Sequence, residues 1–262
     1  MKLKLAIGLT VLLTIAGNAF GQKPEPAKTP SKPVETKPTP TTAKLPTTQE
    51  ILSKYVQALG GREANEKIKT RMVKGTIELA PVGIKGTVEN YLSAPDKSYT
   101  KSNLQGIGDI IEVYDGTTAW SLNPIQGNRD KDGEELLQTK LISNFYREIN
   151  LDKLYPKMEV RGTEKVGDKD TYVVIATPNG LAPETFYFDV KSGLLVRADV
   201  TFVSPEGKMP TKTFYEDYRE IDGIKLPYKT RVVLPQYEIV STITEVKHGV
   251  TIEDGKFAKP KA

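Results

Sequence analysis

Apolar and polar residues alternate along much of the chain after residue 69, and the alternation is strictest between residues 194 and 203. One set comprises Leu194, Val196, Ala198, Val200 and Phe202, and the other comprises Leu195, Arg197, Asp199, Thr201 and Val203. Because the side chains of a strand point alternately to its two faces, this pattern predicts a sheet with one apolar and one mostly wetted face. Residues 224–234 repeat it, with Ile224, Leu226, Tyr228, Thr230, Val232 and Leu234 opposed by Lys225, Lys229 and Arg231. Turn-forming residues separate these segments, so residues 184–257 are predicted to form an antiparallel meander.

Further strand-length segments precede the meander and are separated by residues that favour tight turns. The predicted strands cover about residues 70–79, 84–93, 97–104, 109–115, 117–122, 157–166, 171–177 and 185–189. Together with the meander they give about eleven strands, which we assign to one antiparallel sheet.

Three helices are predicted from apolar residues at helical spacing. The first is capped by Thr48 and stops at Gly60-Gly61, and the second covers residues 62–68. The third interrupts the strands and is predicted over Gly133–Arg147, with Asp132 and Glu135 in a capping-box arrangement. Its apolar face consists of Leu137, Leu141, Phe145 and Ile149. Residues 151–155 predict a short helical turn that Pro156 ends.

The predicted fold class is mainly β, an α+β protein in which a few helices plug the concave side of one large sheet. A sheet that is apolar on one face must bury that face, and three short helices are too small to cover eleven strands. The pattern therefore predicts an apolar trough suited to ligand binding. The residues predicted to line it and to contact an acyl chain are Leu137, Leu141, Phe145, Phe186, Phe188, Leu194, Val196, Val200, Phe202, Ile224, Leu226, Tyr228, Ile239 and Ile243.

The N-terminal residues 1–21 are predicted to be a secretory signal peptide. Lys2 and Lys4 precede the uncharged apolar run Leu5–Ala16, and residues 19–21 form a small-x-small cleavage site. The alternative is an uncleaved membrane anchor, although a spanning helix needs about 20 apolar residues. Residues 22–46 contain seven prolines and predict a disordered linker. Residues 47–262 are then the folded domain of an exported protein, and the expected location is the periplasm or the secreted space.

The formal net charge of +4 resides in the N-terminal part of the chain. Lysines of the predicted signal peptide and linker account for it, so residues 47–262 are close to neutral. A near-neutral domain lacks the basic surface that nucleic-acid binding requires. We therefore expect no nucleic-acid partner.

Residue types that usually carry catalysis or bind metals are scarce. The chain has no cysteine and one histidine, His248, which is expected to be a surface residue near a strand end. Nucleophile motifs and phosphate-binding glycine motifs are absent from the sequence. Glu216 and Asp217 are adjacent on a predicted strand and point to opposite faces. We predict a protein that is not an enzyme and has no cofactor and no metal, with a carboxylate-dependent hydrolase as the least favoured alternative.

Six segments form strand-turn or helix-turn units with a recognisable pattern. They are ILSKYVQALGG (Ile51–Gly61), VKGTIE (Val73–Glu78), YDGTTAW (Tyr114–Trp120), YFDVKSGLLVR (Tyr187–Arg197), DYREIDGIKLP (Asp217–Pro227) and ITEVK (Ile243–Lys247). In these segments the chain resembles the bacterial LolA/LppX superfamily of periplasmic lipid and lipoprotein carriers, in particular its outer membrane lipoprotein-sorting branch. The resemblance extends over about residues 49–257.

The resemblance implies an incomplete barrel of about eleven antiparallel strands whose cavity holds the acyl chains of a lipid or lipoprotein. It also implies a helical lid, for which residues 132–147 are the candidate, and a part in transport and outer-membrane biogenesis. We expect a monomer whose further partners are envelope membrane proteins. Relatives with this fold also serve as envelope-stress sensors. The second hypothesis is therefore a periplasmic interaction or sensor domain whose core is filled by its own side chains.

Overall fold

The structure, a computed structural model, describes residues 5–7, 13–15 and 44–259. The predicted signal peptide (1–21) and linker (22–46) therefore lie largely outside the described residues. Two short strands within residues 1–21, β1 (Leu5–Ile7) and β2 (Leu13–Ile15), pair antiparallel with each other. In the described ranges, no helix has the length and apolar character needed to cross a membrane.

One antiparallel sheet of 13 strands forms the body of the chain from Thr70 onwards. Its strands are β3 (Thr70–Ala80), β4 (Ile84–Ser93), β5 (Lys97–Leu104), β6 (Gly108–Tyr114), β7 (Ala119–Asn123), β8 (Gly127–Lys131), β9 (Lys157–Val166), β10 (Lys169–Thr177), β11 (Glu184–Asp189), β12 (Leu195–Ser204), β13 (Gly207–Ile221), β14 (Ile224–Val233) and β15 (Glu238–His248). The mainly β fold class and the single antiparallel sheet are confirmed, whereas the predicted count of about eleven strands is too low. Strand β8 was not predicted, because its sequence GNRDK has no apolar alternation.

The strands follow one another across the sheet in chain order, except at one junction. There β15 pairs with β3, which joins the meander β3–β8 to the meander β9–β15. Strands β8 and β9 remain as the two edges, so the sheet is open, consistent with an incomplete barrel. The chain between these edges, residues 132–156, packs on one face of the sheet, which we call the inner face.

Apolar side chains on the inner face form two buried clusters. The first lies under the helices and includes Ile51, Tyr55, Leu141, Leu151, Phe186, Phe188, Leu195 and Ala198. The second includes Ile77, Leu79, Leu104, Ile110, Val232 and Ile239. Both clusters lie on the same face of the sheet. Ala198 of the first cluster is connected through paired residues on neighbouring strands to Val232 and Ile239 of the second, and paired residues point to the same face. The chain's own residues therefore bury much of the predicted apolar face.

A bulge interrupts the alternation predicted for β12. Phe188 pairs with Leu195 and Tyr187 pairs with Arg197, so Val196 is an extra residue between them. Leu195 consequently shares the inner face with Phe188 and Ala198. The prediction that Leu195 points away from Ala198 is wrong for this reason. Alternation in one strand cannot reveal a bulge, because the extra residue is defined by pairing with the partner strand.

Among the described residues, four α-helices and two 3₁₀ turns accompany the sheet. They are α1 (Thr48–Ala58), α2 (Arg62–Lys67), α3 (Gly133–Ser143) and α4 (Leu151–Leu154), with the turns Arg147–Ile149 and Asp254–Phe257. The N-cap of α1 is Thr47 and not Thr48 as predicted. The Thr47 hydroxyl accepts the N–H of Glu50 at 3.2 Å, and the Glu50 carboxylate accepts the N–H of Thr47 at 2.7 Å. This reciprocal pairing is a capping box that starts one residue earlier.

Helix α3 is shorter than predicted and ends at Ser143, because Asn144 adopts an extended backbone. The N–H of Phe145 then donates to the carbonyl of Pro95 at 2.9 Å, so Phe145 lies outside the helix. Asp132 does occupy the N-cap position, but its side chain makes no capping hydrogen bond. Glu135 binds Arg129 through two hydrogen bonds of 2.7 and 2.6 Å. The predicted capping box at this helix is therefore wrong.

Candidate functional site

The gap between α3 and strands β3–β6 of the inner face is not filled by side chains. A cavity of about 340 Å³ remains there, within the range of small-molecule sites. The apolar residues that line it are Val73, Leu92, Val113, Ile142, Leu226, Pro227 and Ile243. The charged residues that reach it are Arg71, Glu112 and Lys131. We call this space the α3 cavity.

A second cavity of about 200 Å³ adjoins the first, and Arg71, Leu226 and Pro227 line both. Its wall is rich in aromatic side chains, namely Tyr55, Phe145, Tyr146, Tyr215 and Tyr218. Glu148 and Lys225 also line it. We call this space the aromatic cavity. The two cavities together follow the inner face from α3 towards α1.

Two of the three charged side chains in the α3 cavity neutralise each other. Lys131 and Glu112 form a salt bridge, and their side chains are only 3% and 7% exposed. The Ser121 hydroxyl donates to Glu112 at 2.8 Å, and Glu135 lies 3.9 Å from Lys131. Because paired and hydrogen-bonded charges carry little net field, the α3 cavity keeps a mainly apolar character around this pair.

A polar network borders the aromatic cavity through Tyr55 and Glu148. The Tyr55 hydroxyl donates to Glu148 at 2.6 Å, and Arg147 pairs with Glu148 at 2.8 Å. Arg147 also lies 3.3 Å from Glu184, which accepts the Tyr155 hydroxyl at 2.7 Å. Burial raises the pKa of Glu184, while Arg147 and Tyr155 act in the opposite direction. The network fixes the turn after α3 to α1 and β11.

Arg71 lies where the two cavities meet. Its Nε donates to Nε2 of His248 at 3.0 Å, and its guanidinium carbon lies 5.2 Å from the centre of the Phe145 ring. Nδ1 of His248 lies 2.8 Å from the Asp222 carboxylate. Burial lowers the pKa of Arg71 to about 10, with the charge of Glu148 opposing that shift. Arg71 therefore remains a cation at neutral pH.

Helix α3 is attached on both sides of the α3 cavity. The hydroxyls of Ser143 and Ser98 are 2.7 Å apart, which joins the end of α3 to β5. Glu134, in its first turn, pairs with Lys208 of β13 at 2.6 Å. Leu141 is 7% exposed and belongs to the first buried cluster. Helix α3 thus covers the side of the cavity opposite the sheet.

The fourteen residues predicted to contact an acyl chain fall into three groups. Phe145 lines the aromatic cavity, Ile243 lines the α3 cavity, and Leu226 lines both. Most of the others belong to the filled core: Leu141, Phe186, Phe188, Val196, Ile224 and Ile239 are buried, and Leu194, Val200 and Phe202 pack against the clusters. Leu137 is 43% exposed, and Tyr228 lies under the guanidinium of Arg219 at 4.6 Å.

Sequence reasoning missed Arg71 and misjudged His248. The signal for Arg71 is present in β3, where it occupies the same face as Val73, Ile77 and Leu79. A charged residue among the apolar residues of one strand face is rare in a protein interior and indicates a functional or structural role for the charge. His248 was expected on the surface, but its side chain is 7% exposed. Nothing in the local sequence shows that it contacts Arg71, because 177 residues separate them.

The described residues contain no group of three or more His, Asp or Glu side chains arranged to hold a metal ion. The charged residues that line the two cavities are Arg71, Glu112, Lys131, Glu148 and Lys225. Charged groups placed among apolar walls favour binding of an amphiphile, whose two ends differ in polarity.

No protein-family model matches the sequence, and no curated protein matches it. Solved structures do match its fold. A LolA superfamily protein from Nitrosomonas europaea superposes with a TM-score of 0.55 at 16% identity, over 82% of this chain and 99% of that one. A DUF1329 family protein from Desulfovibrio piger gives 0.54 at 17% identity, over 80% and 96%. A domain named for outer membrane lipoprotein sorting, from Vibrio parahaemolyticus, gives 0.51 at 10% identity, over 80% and 93%.

Proposed function

We propose that this chain, which has the fold of the LolA superfamily, holds acyl chains of a lipid or a lipid-modified protein and catalyses no reaction. The observation that carries the proposal is the α3 cavity, where apolar side chains of the sheet face α3 across about 340 Å³ of unfilled space. Apolar walls around a preformed space favour an apolar guest. The close-to-neutral folded domain is consistent with such a guest.

The size of the cavity limits how tightly an acyl chain alone can bind. Each methylene removed from water contributes about 0.8 kcal/mol, so eight to ten of them contribute about 6–8 kcal/mol. Association opposes this with about 4–15 kcal/mol of lost translational and rotational freedom. The gain from burial and the cost of association are of the same order, so an acyl chain alone would be held weakly and would exchange readily, as a carrier requires.

Helix α3 is the proposed lid. Its ion pair Lys208–Glu134 is solvent-exposed, with side chains 54% and 41% exposed, and exposed pairs stabilise by at most about 1 kcal/mol. The Ser98–Ser143 contact is a single hydrogen bond, and such bonds contribute about 1 kcal/mol. These two contacts are weak, and movement of the whole helix would also have to break the contacts of Gln138 and Leu141 with the sheet.

Export to the periplasm is proposed from the N-terminal segment, with envelope membrane proteins as donor and acceptor of the cargo. The apolar run Leu5–Ala16 after Lys2 and Lys4 supports it. Fractionation of cells that make the full chain should place the processed protein in the periplasmic fraction. Retention of an unprocessed chain in the cytosol would contradict export.

A second candidate is an interaction or sensor domain without lipid cargo. The observation that favours it is the extent of the two buried clusters, in which Phe186 and Ile239 are fully buried. On this view the remaining cavities are packing defects.

Native mass spectrometry of protein purified from a membrane-containing lysate separates the two candidates. We expect adducts with the masses of acyl lipids, which disappear after extraction with organic solvent and return on titration with hexadecanoic acid. Protein that is empty on purification and does not bind the added acid would leave the interaction domain as the better account.

A further inference from the structure

The guanidinium of Arg71 forms no salt bridge among the residues that the structure describes, and the charge of Glu148, which lines the aromatic cavity with it, acts on it without direct contact. Its contacts there are the hydrogen bond to His248 and the ring of Phe145, and neither carries negative charge. Both contacts leave the two Nη groups without an acceptor from the described chain. Arg71 lines both cavities, so its side chain borders the space that a ligand would occupy.

The carboxylates around the cavities are bound to other residues and form no salt bridge with Arg71. In the α3 cavity, Glu112 is bound to Lys131. In the aromatic cavity, Glu148 accepts hydrogen bonds from Tyr55 and Arg147. Lys225, which also lines the aromatic cavity, adds a second positive charge. The junction of the cavities is therefore positive, and a cation held away from water is stabilised by an anion placed beside it.

The orientation of Arg71 is set by two positioning residues, His248 and Asp222. Burial lowers the pKa of His248, so its ring is neutral at pH 7. A neutral ring whose Nε2 accepts from Arg71 must carry its proton on Nδ1, and Nδ1 then donates to Asp222. The hydrogen bonds from Arg71 to His248 and from His248 to Asp222 hold the guanidinium at Nε. The opposite edge, formed by the two Nη groups and called the Nη edge, remains open. Two parallel N–H groups on that edge match the two oxygens of a carboxylate or a phosphate.

We infer that the cargo is an anionic amphiphile, with a carboxylate or phosphate group bound to the Nη edge of Arg71 and its acyl chain in the α3 cavity. This inference rests on the proposed acyl-chain binding and adds the chemistry of the head group. It explains why an apolar trough carries one arginine whose Nη groups have no acceptor in the described chain. It also supplies the affinity that a short buried chain lacks.

The test compares three ligands that share one chain and differ at the head: hexadecanoic acid, hexadecyl phosphate and hexadecanol. Calorimetric titration of the full chain at pH 7.5 should give both anions at least about ten-fold tighter binding than the alcohol, as expected for charge-assisted hydrogen bonds. Arg71→Met should remove this preference, so that both anions bind no tighter to the variant than hexadecanol does. Arg161→Met is the matched control, because Arg161 is 57% exposed on β9, and it should keep the preference.

The other possible results of these titrations distinguish failure of the head-group inference from failure of the proposed function. If the wild-type chain binds none of the three ligands, the proposed function fails as well. If it binds acid and alcohol equally, the head-group inference fails and acyl-chain binding survives. Inorganic phosphate and acetate serve as chainless probes, and binding of either as tight as hexadecyl phosphate would overturn the amphiphile in favour of a free-anion site.

A second variant tests the inference independently in case Arg71→Met does not fold. His248→Phe removes the acceptor that orients Arg71 and leaves the guanidinium in place. The preference for the anions over hexadecanol should shrink by several-fold, whereas a purely structural defect would weaken all three ligands together. An unchanged preference in this variant would contradict the role of His248 as a positioning residue.

Discussion

The side-chain amide of Gln138 on α3 completes the hydrogen bonding of Val203 on β12. Its Oε1 accepts the N–H of Val203 at 2.9 Å, and its Nε2 donates to the carbonyl of Thr201 at 2.9 Å. Strand β11 pairs with β12 only as far as Asp199, so these backbone groups have no strand beside them. Gln138 takes the place of the missing strand residue and attaches α3 to the sheet.

Loss of the Gln138 amide should therefore destabilise the fold. Gln138→Ala leaves two partly buried backbone groups without partners, and we expect the free energy of unfolding to fall by about 1–3 kcal/mol. Urea denaturation measures this. Gln105→Ala is the control, since Gln105 is exposed, and it should change the stability by less than about 0.5 kcal/mol. Equal stability of the two variants would show that water satisfies the edge of β12 equally well.

Filling the α3 cavity should weaken acyl-chain binding. Ile142→Trp places a larger side chain in the lining of that cavity. If it displaces three methylenes, the affinity for hexadecanol should fall by about 50-fold. Lys140→Trp introduces the same residue on the exposed side of α3 and should leave the affinity unchanged. Should both variants bind as the wild type does, the guest occupies another part of the molecule.

The two leucines of α3 should differ sharply in their contribution to stability. Leu141 is 7% exposed in the first buried cluster, whereas Leu137 is 43% exposed. Leu141→Ala should lower the free energy of unfolding by about 2–5 kcal/mol, and Leu137→Ala by less than about 0.5 kcal/mol. Thermal unfolding followed by circular dichroism compares them. A large effect of Leu137→Ala would mean that it is covered in solution.

Protonation of His248 should destabilise the folded chain. In the unfolded chain the pKa of His248 is 6.5. In the folded chain burial lowers this pKa; the charge of Arg71 lowers it further, and Asp222 opposes the shift. Between the two pKa values the unfolded state binds more protons, so the free energy of unfolding falls as the pH is lowered from about 6.5. Above this pH the contribution is fully present.

Urea unfolding of the wild type and of His248→Asn between pH 8 and pH 5.5 isolates this contribution, because the chain has a single histidine. The wild type should lose stability relative to the variant as the pH falls. Arg71 and Asp222 contact the ring, and Glu63, Lys67 and Lys69 lie around the cavity beside it. All of them are present in both proteins, so parallel pH profiles would refute the assigned shift.

The candidate site was only partly predictable from the sequence. Ile243 and Leu226 follow from strand alternation, and both line the α3 cavity. Phe186 and Phe188 follow from the same pattern, yet they fill the core. Alternation assigns a side chain to a face and carries no information on what packs against that face. Whether an inner residue meets another side chain or an empty space depends on where α3 lies.

The sequence by itself determined most of the strands, their turns and the apolar face, because these follow from the two-residue period of an extended chain and from local turn chemistry. The tertiary structure decided the pairing of β15 with β3, the bulge at Val196 and the end of α3 at Ser143. It also placed Arg71 beside His248 and left the α3 cavity open. These features depend on contacts between residues far apart in the chain, and no local pattern encodes the distance between two packed elements.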